Sequence, residues 1–364
     1  MRCNSDSTAL VRRSSAGCAF DLAVERLPFK IAAIAATPAT SIEAKIVQNC
    51  ASDLSLAEED VVYVCRQEST LGWWREALKA VSTSDVVIFH SPLIFSVILV
   101  VITKLCRKRI VSLVWDVYPV RLNGRRYDKR LIRRGIDLLE RFCLANSDLI
   151  LVPSPDFLKE PSLADAEFVP MWVEPKLTHI SWPGSTAASQ RGADEVLKIL
   201  FAGQVNETRA LDHALERLKQ VLPIPFLLRV ASFDKLPDSL LSNRQVEFLG
   251  GLSPCELGSV ATNCDFGLVS LSPVLDGAGF PSKTFDYLGF GLPVLYSGPR
   301  LECFIRLIEE TGVGLDVSKR DNVSVAELRE LQSKIISHRK LFFRETRLKP
   351  GSMSRTLSRF ANRP

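Results

Sequence analysis

Short apolar runs alternate with longer amphipathic stretches along most of the chain, and this alternation is typical of an α/β protein. The apolar runs are rich in Val, Ile and Leu and have the length of buried parallel strands. We predict strands at 29–37, 61–65, 85–89, 110–116, 149–152, 197–202, 226–230, 246–250, 266–271, 293–296 and 313–317. We predict helices at 73–81, 93–105, 131–145, up to 221, at 282–290, at 301–310 and from 325.

One stretch without such runs, Met171–Glu195, is rich in Pro, Gly and Ser and separates two α/β halves. The 364 residues suffice for two domains of ordinary size. We therefore expect a flexible extension (1–28), a first Rossmann-like domain (29–172), a linker (173–196), a second Rossmann-like domain (197–321) and a C-terminal helix with a basic tail (322–364).

Composition narrows the class of protein. With 46% hydrophobic and 24% charged residues the chain reads as globular, and a net charge of +5 without any nucleic-acid-binding motif argues against a nucleic-acid partner. The nine cysteines include no C-x-x-C pair, so neither a zinc ribbon nor a disulfide framework is indicated. This use of cysteine predicts a reducing, cytoplasmic compartment.

The longest apolar stretch, Pro92–Leu105, is shorter than the roughly 18–20 residues of a membrane span and is followed by basic residues up to Arg109. Two interpretations stand. The stretch is either a buried crossover helix whose basic end suits the helix dipole, or a patch that lies on the inner face of a membrane as part of a peripheral protein.

The segment with the clearest chemistry runs from Asp265 to Gly298 and reads as strand, glycine-rich loop, short helix, strand. Pro281 and Ser282 predict the helix start, and Gly291 predicts its stop. In an open α/β sheet such a helix begins at the carboxyl end of a strand, where ligands bind. The amides of Ser282–Thr284 and the Lys283 cation suit a phosphate. Asp286 suits sugar or ribose hydroxyls; alternatively it is a solvated residue of an ordinary crossover helix.

The run from Phe280 to Val294 resembles the donor-binding segment of GT-B glycosyltransferases, and in particular the "PSK-x-x-E-Y-x-x-x-G-x-P-V" run of glycosyltransferase family 4. Asp286 stands seven residues before Pro293, where the family's acidic residue binds the ribose of a sugar nucleotide. The family often has a second Glu eight residues earlier, where this chain has Ala278. The segment is also similar to the inverting β-mannosyltransferase that acts on dolichol-linked chitobiose, so the resemblance leaves retention or inversion open.

A second resemblance lies after the predicted strand 197–202. Gly203-Gln-Val-Asn-Glu-Thr-Arg209-Ala is similar to the family's "G-R-x-x-x-x-K-G", whose two cations hold the donor diphosphate. Arg209 keeps the charge of the Lys and adds a fork that binds two oxygens, whereas Gln204 loses the charge of the Arg. The resemblance implies that Gly203, Arg209, Gly279, Ser282, Lys283, Thr284 and Asp286 bind the donor. The alternative for Arg209 is a surface cation of a helix.

Candidate catalytic residues lie in the first half. His90 and Asp116 end two neighbouring predicted strands, and polar residues at such ends converge on a crevice. Both segments resemble the family 4 pattern, in which Asp116 would flank the acceptor and the donor sugar. If the reaction inverts, Asp116 is the first candidate for the base and His90 the second. The alternatives are a structural histidine and an aspartate that caps the following turn.

Two basic segments remain. One is the run within 123–134, which is either a solvated surface or a contact to lipid phosphates or an acceptor diphosphate. The other is the tail within 325–364, which is either solvated or in contact with an anionic membrane face.

The resemblance implies a GT-B fold, in which two Rossmann-like domains face each other across a cleft and the C-terminal helix returns to the N-terminal domain. It implies a transferase that moves a sugar from a nucleotide-diphosphate donor to a saccharide acceptor, in this family commonly linked to polyprenyl diphosphate, in polysaccharide or glycoconjugate biosynthesis. No suitably placed D-x-D motif indicates a metal, and no cofactor is expected. The competing interpretations are a non-catalytic GT-B partner subunit and a sugar-nucleotide epimerase of the same fold.

Overall fold

The computed structural model describes residues 30–35, 47–48, 51, 60–66, 69–90, 97–115, 121–122, 130–170, 173, 196–276 and 279–343. Of residues 121–122, 130–133 and 276 it describes the backbone alone. The statements below concern these residues.

Fourteen strands are present in the described part of the chain. Those of the first half are β1 (Ile31–Ala35), β2 (Val61–Cys65), β3 (Val86–His90), β4 (Arg109–Leu113), β5 (Arg121–Leu122), β6 (Leu149–Val152) and β7 (Glu167–Phe168). Those of the second half are β8 (Leu197–Ala202), β9 (Phe226–Ala231), β10 (Val246–Gly250), β11 (Phe266–Ser270), β12 (Leu275–Asp276), β13 (Val294–Ser297) and β14 (Gly314–Asp316).

The strands form two parallel sheets of six. The orders are β2-β1-β3-β4-β6-β7 and β10-β9-β8-β11-β13-β14, and the remaining strands β5 and β12 pair with each other in antiparallel fashion. Strand order reverses between β1 and β3 in the first sheet and between β8 and β11 in the second. In open α/β sheets, ligands bind beyond the carboxyl ends of the strands at these reversal points.

Helices cover the sheets. They are α1 (Thr70–Thr83), α2 (Val97–Leu105), α3 (Arg130–Ala145), α4 (Leu211–Val221), α5 (Asp238–Leu241), α6 (Pro254–Ala261), α7 (Lys283–Gly289), α8 (Glu302–Glu310) and α9 (Val325–His338). Short 3-10 helices occupy Pro155–Lys159, Pro161–Leu163 and Arg339–Phe342.

Local sequence explains several helix starts. Ser69 accepts the Gly72 amide at the start of α1, 3.2 Å away. Ser253 and Ser324 each form a reciprocal capping box with the glutamate three residues later, at the starts of α6 and α9. The two boxes satisfy amides that the first turn of a helix otherwise leaves unpaired.

Residues of the inner strands are buried on both faces, as expected for a parallel sheet between helices. In β1, Ile31, Ala33 and Ala35 join one cluster of buried side chains, and Ala32 and Ile34 join another. The second sheet shows the same alternation along β8. The near-continuous apolar runs in the sequence follow from this arrangement.

The predicted α/β class is therefore confirmed, and most predicted elements are present with ends that differ by a few residues. Strands β5, β7 and β12 were not predicted, because segments of two residues carry no periodic signal. None of the described helices is both long enough and apolar enough to cross a membrane.

After α9 the chain returns to the segment between the two sheets. Phe343 forms a parallel bridge with Val173, and the Val173 amide donates to the Phe342 carbonyl at 2.8 Å. Arg339 is buried and donates to the carbonyl of Gly289 at the end of α7, also at 2.8 Å. Burial lowers the pKa of the Arg339 guanidinium. The predicted basic tail beyond 343 lies outside the described residues.

Candidate functional site

The carboxyl edge of the second sheet gathers the candidate donor-binding residues of the second half. Strand β8 ends at Ala202 and leads through Gly203 into a loop that turns into α4 after Ala210. The Ser272 amide donates to the Thr208 carbonyl at 2.8 Å, and the Ser270 hydroxyl donates to the Arg209 carbonyl. The loop that carries Arg209 is thus held against the end of β11.

Ala210 adopts a left-handed conformation, with φ of 41° and ψ of 53°. This backbone region is unfavourable for a residue with a Cβ atom. The family run that this segment resembles has glycine at the same place. The turn that presents Arg209 is therefore strained in this chain.

Helix α7 packs across the same edge through Tyr287. The Tyr287 hydroxyl accepts the Ala202 amide at 2.8 Å and donates to the Leu268 carbonyl at 3.2 Å. The ring is buried and lies over Gly267, where an added Cβ would approach its Cγ atom to 2.3 Å. One side chain thus ties α7 to both central strands of the sheet.

Electrostatics connect Tyr287 to two candidate residues. Burial raises the pKa of the Tyr287 phenol well above its ordinary value, and the hydrogen bond from the Ala202 amide opposes this shift. The charge of Asp286 raises that pKa further and the charge of Arg209 lowers it. Both charges therefore act on the same hydroxyl, which bonds to Ala202 at the start of the Arg209 loop and belongs to the residue that follows Asp286.

Two candidate residues on α7 contact each other. The Lys283 ammonium lies 2.8 Å from Oδ2 of Asp286, with both side chains partly exposed. A pair this open to solvent contributes at most about 1 kcal/mol, so a stronger anion competes with Asp286 for the lysine.

The amides of Ser282–Thr284 were expected to suit a phosphate, but the Thr284 amide is not available for one, because it donates to the Pro281 carbonyl at 3.1 Å. Ser282 precedes the first helical residue in a right-handed helical conformation, and its side chain makes no capping bond. The tight turn that begins at Pro281 therefore uses one of the amides expected to face a phosphate.

Gly279 is half-buried, and no described atom lies within 4 Å of a Cβ built on it. Its φ also lies outside the left-handed region, so neither the backbone conformation nor any contact with the described residues requires glycine there. Asp276 contributes only its backbone to the description, and Ala278 lies outside it.

At the first sheet, His90 is the last residue of β3 and pairs in register with Leu113 of β4. It is half-buried at the carboxyl edge, beside the point where strand order reverses. Asp116, the other catalytic candidate, lies outside the described residues. Trp115, just before it, has a buried indole nitrogen with no partner among the described atoms.

The carboxyl edges of the two sheets contact each other at two places. Strand β5, shortly after Asp116, pairs with β12, shortly before Gly279. In addition, Oδ2 of Asp156 accepts the Cys303 amide at 2.9 Å, in the first turn of α8. The sheet edge of the catalytic candidate His90 therefore faces the edge of the donor-binding candidates.

Lys159 strengthens the second contact. Its ammonium lies 2.9 Å from Asp156 in its own half and 3.2 Å from Glu302 in the other half. These bonds raise the pKa of the Lys159 ammonium. The start of α8 has Leu301 at its cap position, which has no side-chain acceptor, so Asp156 supplies the missing cap from the other half.

Sequence reasoning did not assign roles to Tyr287 or Asp156. Tyr287 stands inside the quoted family run, next to Asp286, and its partners are backbone atoms far away in sequence. Asp156 follows Ser154 and Pro155, a pattern that indicates a helix start, and its side chain instead caps a different helix. In each case the residue belongs to a recognisable sequence pattern, but its hydrogen-bond partner, distant in sequence, could not be predicted from that pattern.

Helices α2 and α3 lie side by side and expose apolar side chains. Ile98 and Leu105 on α2 are 60% and 78% exposed, and Leu138 on α3 is 67% exposed. Leu99, Val100 and Thr103 on the other side of α2 are buried. Helix α2 therefore is a crossover helix, between β3 and β4, with one buried face and one face open to solvent. Most of the basic run within 123–134 lies outside the described side chains.

No cluster of His, Cys, Asp and Glu suited to a metal ion occurs among the described residues.

Comparison with solved structures identifies the fold of the chain. No family model matches the chain, and no curated protein matches it. Among solved structures, HepE from Anabaena in complex with UDP-glucose is similar over 91% of this chain and 100% of its own, with a TM-score of 0.59 and 14% identity. A sucrose-phosphate synthase from Thermosynechococcus elongatus is similar over 84% of this chain and 86% of its own, with a TM-score of 0.57 and 17% identity.

The lipopolysaccharide outer core galactosyltransferase WaaB is similar over 90% of this chain and 99% of its own, with a TM-score of 0.56 and 13% identity. These similarities span both sheets, and the two parallel sheets with facing carboxyl edges agree with them. The chain therefore has the GT-B fold.

Proposed function

We propose that this protein is a glycosyltransferase that moves a sugar from a nucleotide-diphosphate donor to a saccharide acceptor. The observation that carries the proposal is the convergence of the Arg209 loop and α7 at the reversal point of the second sheet. The UDP-glucose complex of HepE, a protein of similar fold, is consistent with a donor of this chemical class.

In the proposed mechanism the two cations Arg209 and Lys283 neutralise the departing diphosphate, which is the largest contribution an enzyme of this type makes. Lys283 exchanges its contact with Asp286 for a phosphate oxygen. Asp286, once released, accepts hydrogen bonds from the ribose hydroxyls. The backbone of Gly203, Gly279 and Ser282 lines the same edge.

The acceptor lies on the side of the first sheet, where His90 and Asp116 belong. If the reaction inverts, Asp116 takes the proton of the attacking hydroxyl, and His90 is the second candidate. Asp116→Asn is expected to preserve nucleotide binding and to lower turnover. A fully active Asp116→Asn variant would reject this assignment.

Thermal stability measured with UDP, GDP, dTDP and UMP tests the donor site. A ligand that binds the folded protein raises its unfolding temperature as saturation rises. We expect a shift with one diphosphate that is lost in Lys283→Ala and retained in Lys219→Ala, a control that removes the lysine of another ion pair with the same spacing, with Glu216, near the end of α4. No shift with any of the four would favour the alternative of a non-catalytic partner subunit.

Product analysis separates a transferase from an epimerase of the same fold. A transferase releases nucleoside diphosphate only when an acceptor or water takes the sugar, whereas an epimerase converts the sugar nucleotide with no acceptor present. Because the proposal assigns diphosphate neutralisation to side chains, turnover is expected to persist in excess EDTA. Loss of turnover in EDTA and recovery with a divalent cation would contradict it.

We also propose that the acceptor is a lipid-linked saccharide of polysaccharide or glycoconjugate biosynthesis, and that α2 and α3 rest on the membrane that holds it. Apolar side chains on the open faces of these helices support this, since Leu138 and Phe142 alternate with the exposed Arg134 and Arg141.

Co-sedimentation with vesicles tests the membrane proposal. Vesicles with about a third anionic lipid are expected to bind the protein more strongly than neutral ones. Leu105→Asp should reduce binding, whereas Leu241→Asp, at an exposed leucine of α5, should not. Equal binding of both variants would refute the role of this face.

A further inference from the structure

The two central strands of the second sheet separate toward their carboxyl ends. Strand β8 pairs with β9 along its whole length, from Leu197 to Ala202. Strand β11 pairs with β13 up to Ser270. Between β8 and β11, however, the ladder includes only Ile199 with Phe266 and Leu200 with Gly267. An opening therefore lies between the ends of β8 and β11, at the reversal point of strand order.

The Tyr287 hydroxyl fills this opening. It takes one hydrogen bond from each side, accepting the Ala202 amide of β8 and donating to the Leu268 carbonyl of β11. In a continued ladder such groups would pair between the strands themselves. The hydroxyl satisfies two buried backbone groups that the separation leaves without a strand partner.

Glycine in β11 makes room for the ring. A Cβ on Gly267 would lie 2.3 Å from Cγ of Tyr287, which no side chain tolerates. The glycine in the middle of a buried strand thus serves the tyrosine rather than the strand, where it would otherwise weaken packing. The two residues act together: Gly267 leaves space for the ring, and the Tyr287 hydroxyl bridges the two separated strands.

Gly267 and Tyr287 lie between the two segments that we assign to donor binding. Ala202 immediately precedes the loop of Gly203 and Arg209, and Tyr287 immediately follows Asp286 on α7. The position of α7 relative to that loop therefore depends on the two hydrogen bonds of one hydroxyl. A displacement of α7 would move Lys283 and Asp286 away from Arg209.

We propose that Tyr287 is a positioning residue for the nucleoside diphosphate: its hydroxyl sets the distance between the Arg209 loop and the α7 residues that hold the donor. This inference rests on the proposed function. Tyr287 touches neither the donor nor the reacting atoms, because its ring is buried and its hydroxyl is used by backbone groups on both strands.

A matched pair of variants tests the proposal. Tyr296 in β13 is also fully buried, and its hydroxyl donates to the Pro299 carbonyl at 2.7 Å. Tyr287→Phe and Tyr296→Phe each remove one buried hydroxyl from the same half of the protein, and each is expected to lower the unfolding temperature. A general loss of stability is therefore common to both variants.

The two variants differ in their expected affinity for a diphosphate. The diphosphate used is the one of UDP, GDP and dTDP that binds the wild type. Measured well below both unfolding temperatures, Tyr287→Phe should weaken the affinity about tenfold, the size of a typical coupling between a residue and a ligand that it does not touch. Tyr296→Phe should change it less than twofold. In turnover, Tyr287→Phe should raise the KM for the donor more than it lowers kcat. Equal affinities in the two variants would overturn the proposal.

Hydrogen exchange of the wild type gives a second measurement, which does not depend on the folding of a variant. The Ala202 amide should exchange more slowly when the diphosphate is bound, because a bound donor holds α7 in place. The Phe226 amide, at the start of β9 and the far end of the sheet, serves as the control. Unchanged exchange at Ala202 under saturating ligand would reject the positioning role. If the wild type binds no diphosphate, both the proposed function and this inference are rejected. If the wild type binds a diphosphate but Tyr287→Phe and Tyr296→Phe bind it with equal affinity, only this inference is rejected.

Discussion

Two helices, α7 and α8, begin at the carboxyl edge of the second sheet, and they differ in what meets their first turns. At α8 the protein supplies its own anion: the buried Asp156 of the first half accepts the Cys303 amide. At α7 the charged groups are Lys283 and Asp286 of the helix itself, paired and partly exposed. One helix start joins the two halves of the protein, and the other keeps a cation and a carboxylate open to solvent.

Under the proposed function, this difference assigns the start of α8 to structure and the start of α7 to the ligand. A buried carboxylate on an amide is a strong, charge-assisted bond that favours one arrangement of the halves. An exposed pair is weak and exchangeable, which suits residues that release each other when a ligand arrives. Variants at the two helices should therefore affect different measured quantities.

The largest expected effect is on turnover and follows from Arg209→Ala. This change removes a cation beside α7, and we expect kcat/KM to fall about 100-fold, as for the loss of one group that stabilises a leaving anion. Steady-state release of nucleoside diphosphate measures it. Arg229→Ala, which removes an arginine paired with Glu247 away from this edge, is the control. A loss of similar size in both variants would show that the effect is not specific to the α7 region.

Asp156→Ala should have the next largest effect, on stability. The variant removes the cap of α8 and leaves Lys159 with a single acid partner, and we expect a loss of about 2 kcal/mol in the free energy of unfolding. Urea unfolding measures it, and Asp156→Asn, which keeps one acceptor oxygen, should lose about half as much. Diphosphate affinity should stay unchanged. If affinity fell as far as in Arg209→Ala, the division between the two helices would be wrong.

Ala210→Gly concerns the loop that faces α7 and should stabilise the protein. The left-handed conformation costs alanine about 1 kcal/mol or more, and glycine adopts it freely. After the entropy that glycine adds to the unfolded chain, we expect a net gain of about 0.5–1 kcal/mol. Ala214→Gly, inside α4, should instead destabilise by a similar amount or more. A loss of stability in Ala210→Gly would show that the strain at this turn is relieved elsewhere.

The sequence predicted the fold and the composition of the α7 region because both depend on local patterns. Apolar runs located the main strands, and Pro281 with Gly291 bracketed the observed α7. The two family-like runs predicted Arg209, Lys283 and Asp286 as one group, and the charges of Arg209 and Asp286 both act on the pKa of the Tyr287 phenol.

The remaining features depend on contacts between distant segments. Nothing local shows that Asp156 caps a helix 147 residues later, or that the Tyr287 hydroxyl meets the Ala202 amide 85 residues earlier. The pairing of Lys283 with Asp286 follows from helical spacing of three residues and was open to prediction. The use of the Thr284 amide by Pro281 depends on a tight turn whose geometry the residue types alone did not specify.

The smallest expected effect concerns Lys159, the exposed cation that bridges Asp156 and Glu302. Its folded-state pKa is raised, so the stability that it contributes is fully present below the ordinary lysine pKa of about 10.4 and disappears as pH rises through the raised folded value. Lys159→Met should lower the unfolding temperature slightly at neutral pH, less than Asp156→Ala does. The difference from the wild type should vanish above the raised pKa, whereas Lys159→Arg should keep its stability there. Unfolding temperatures of the three proteins from pH 7 to pH 11 measure this. A Lys159→Met difference that stays constant as pH rises through the raised pKa would mean that the ammonium charge does not contribute to stability, and that Asp156 alone holds the start of α8.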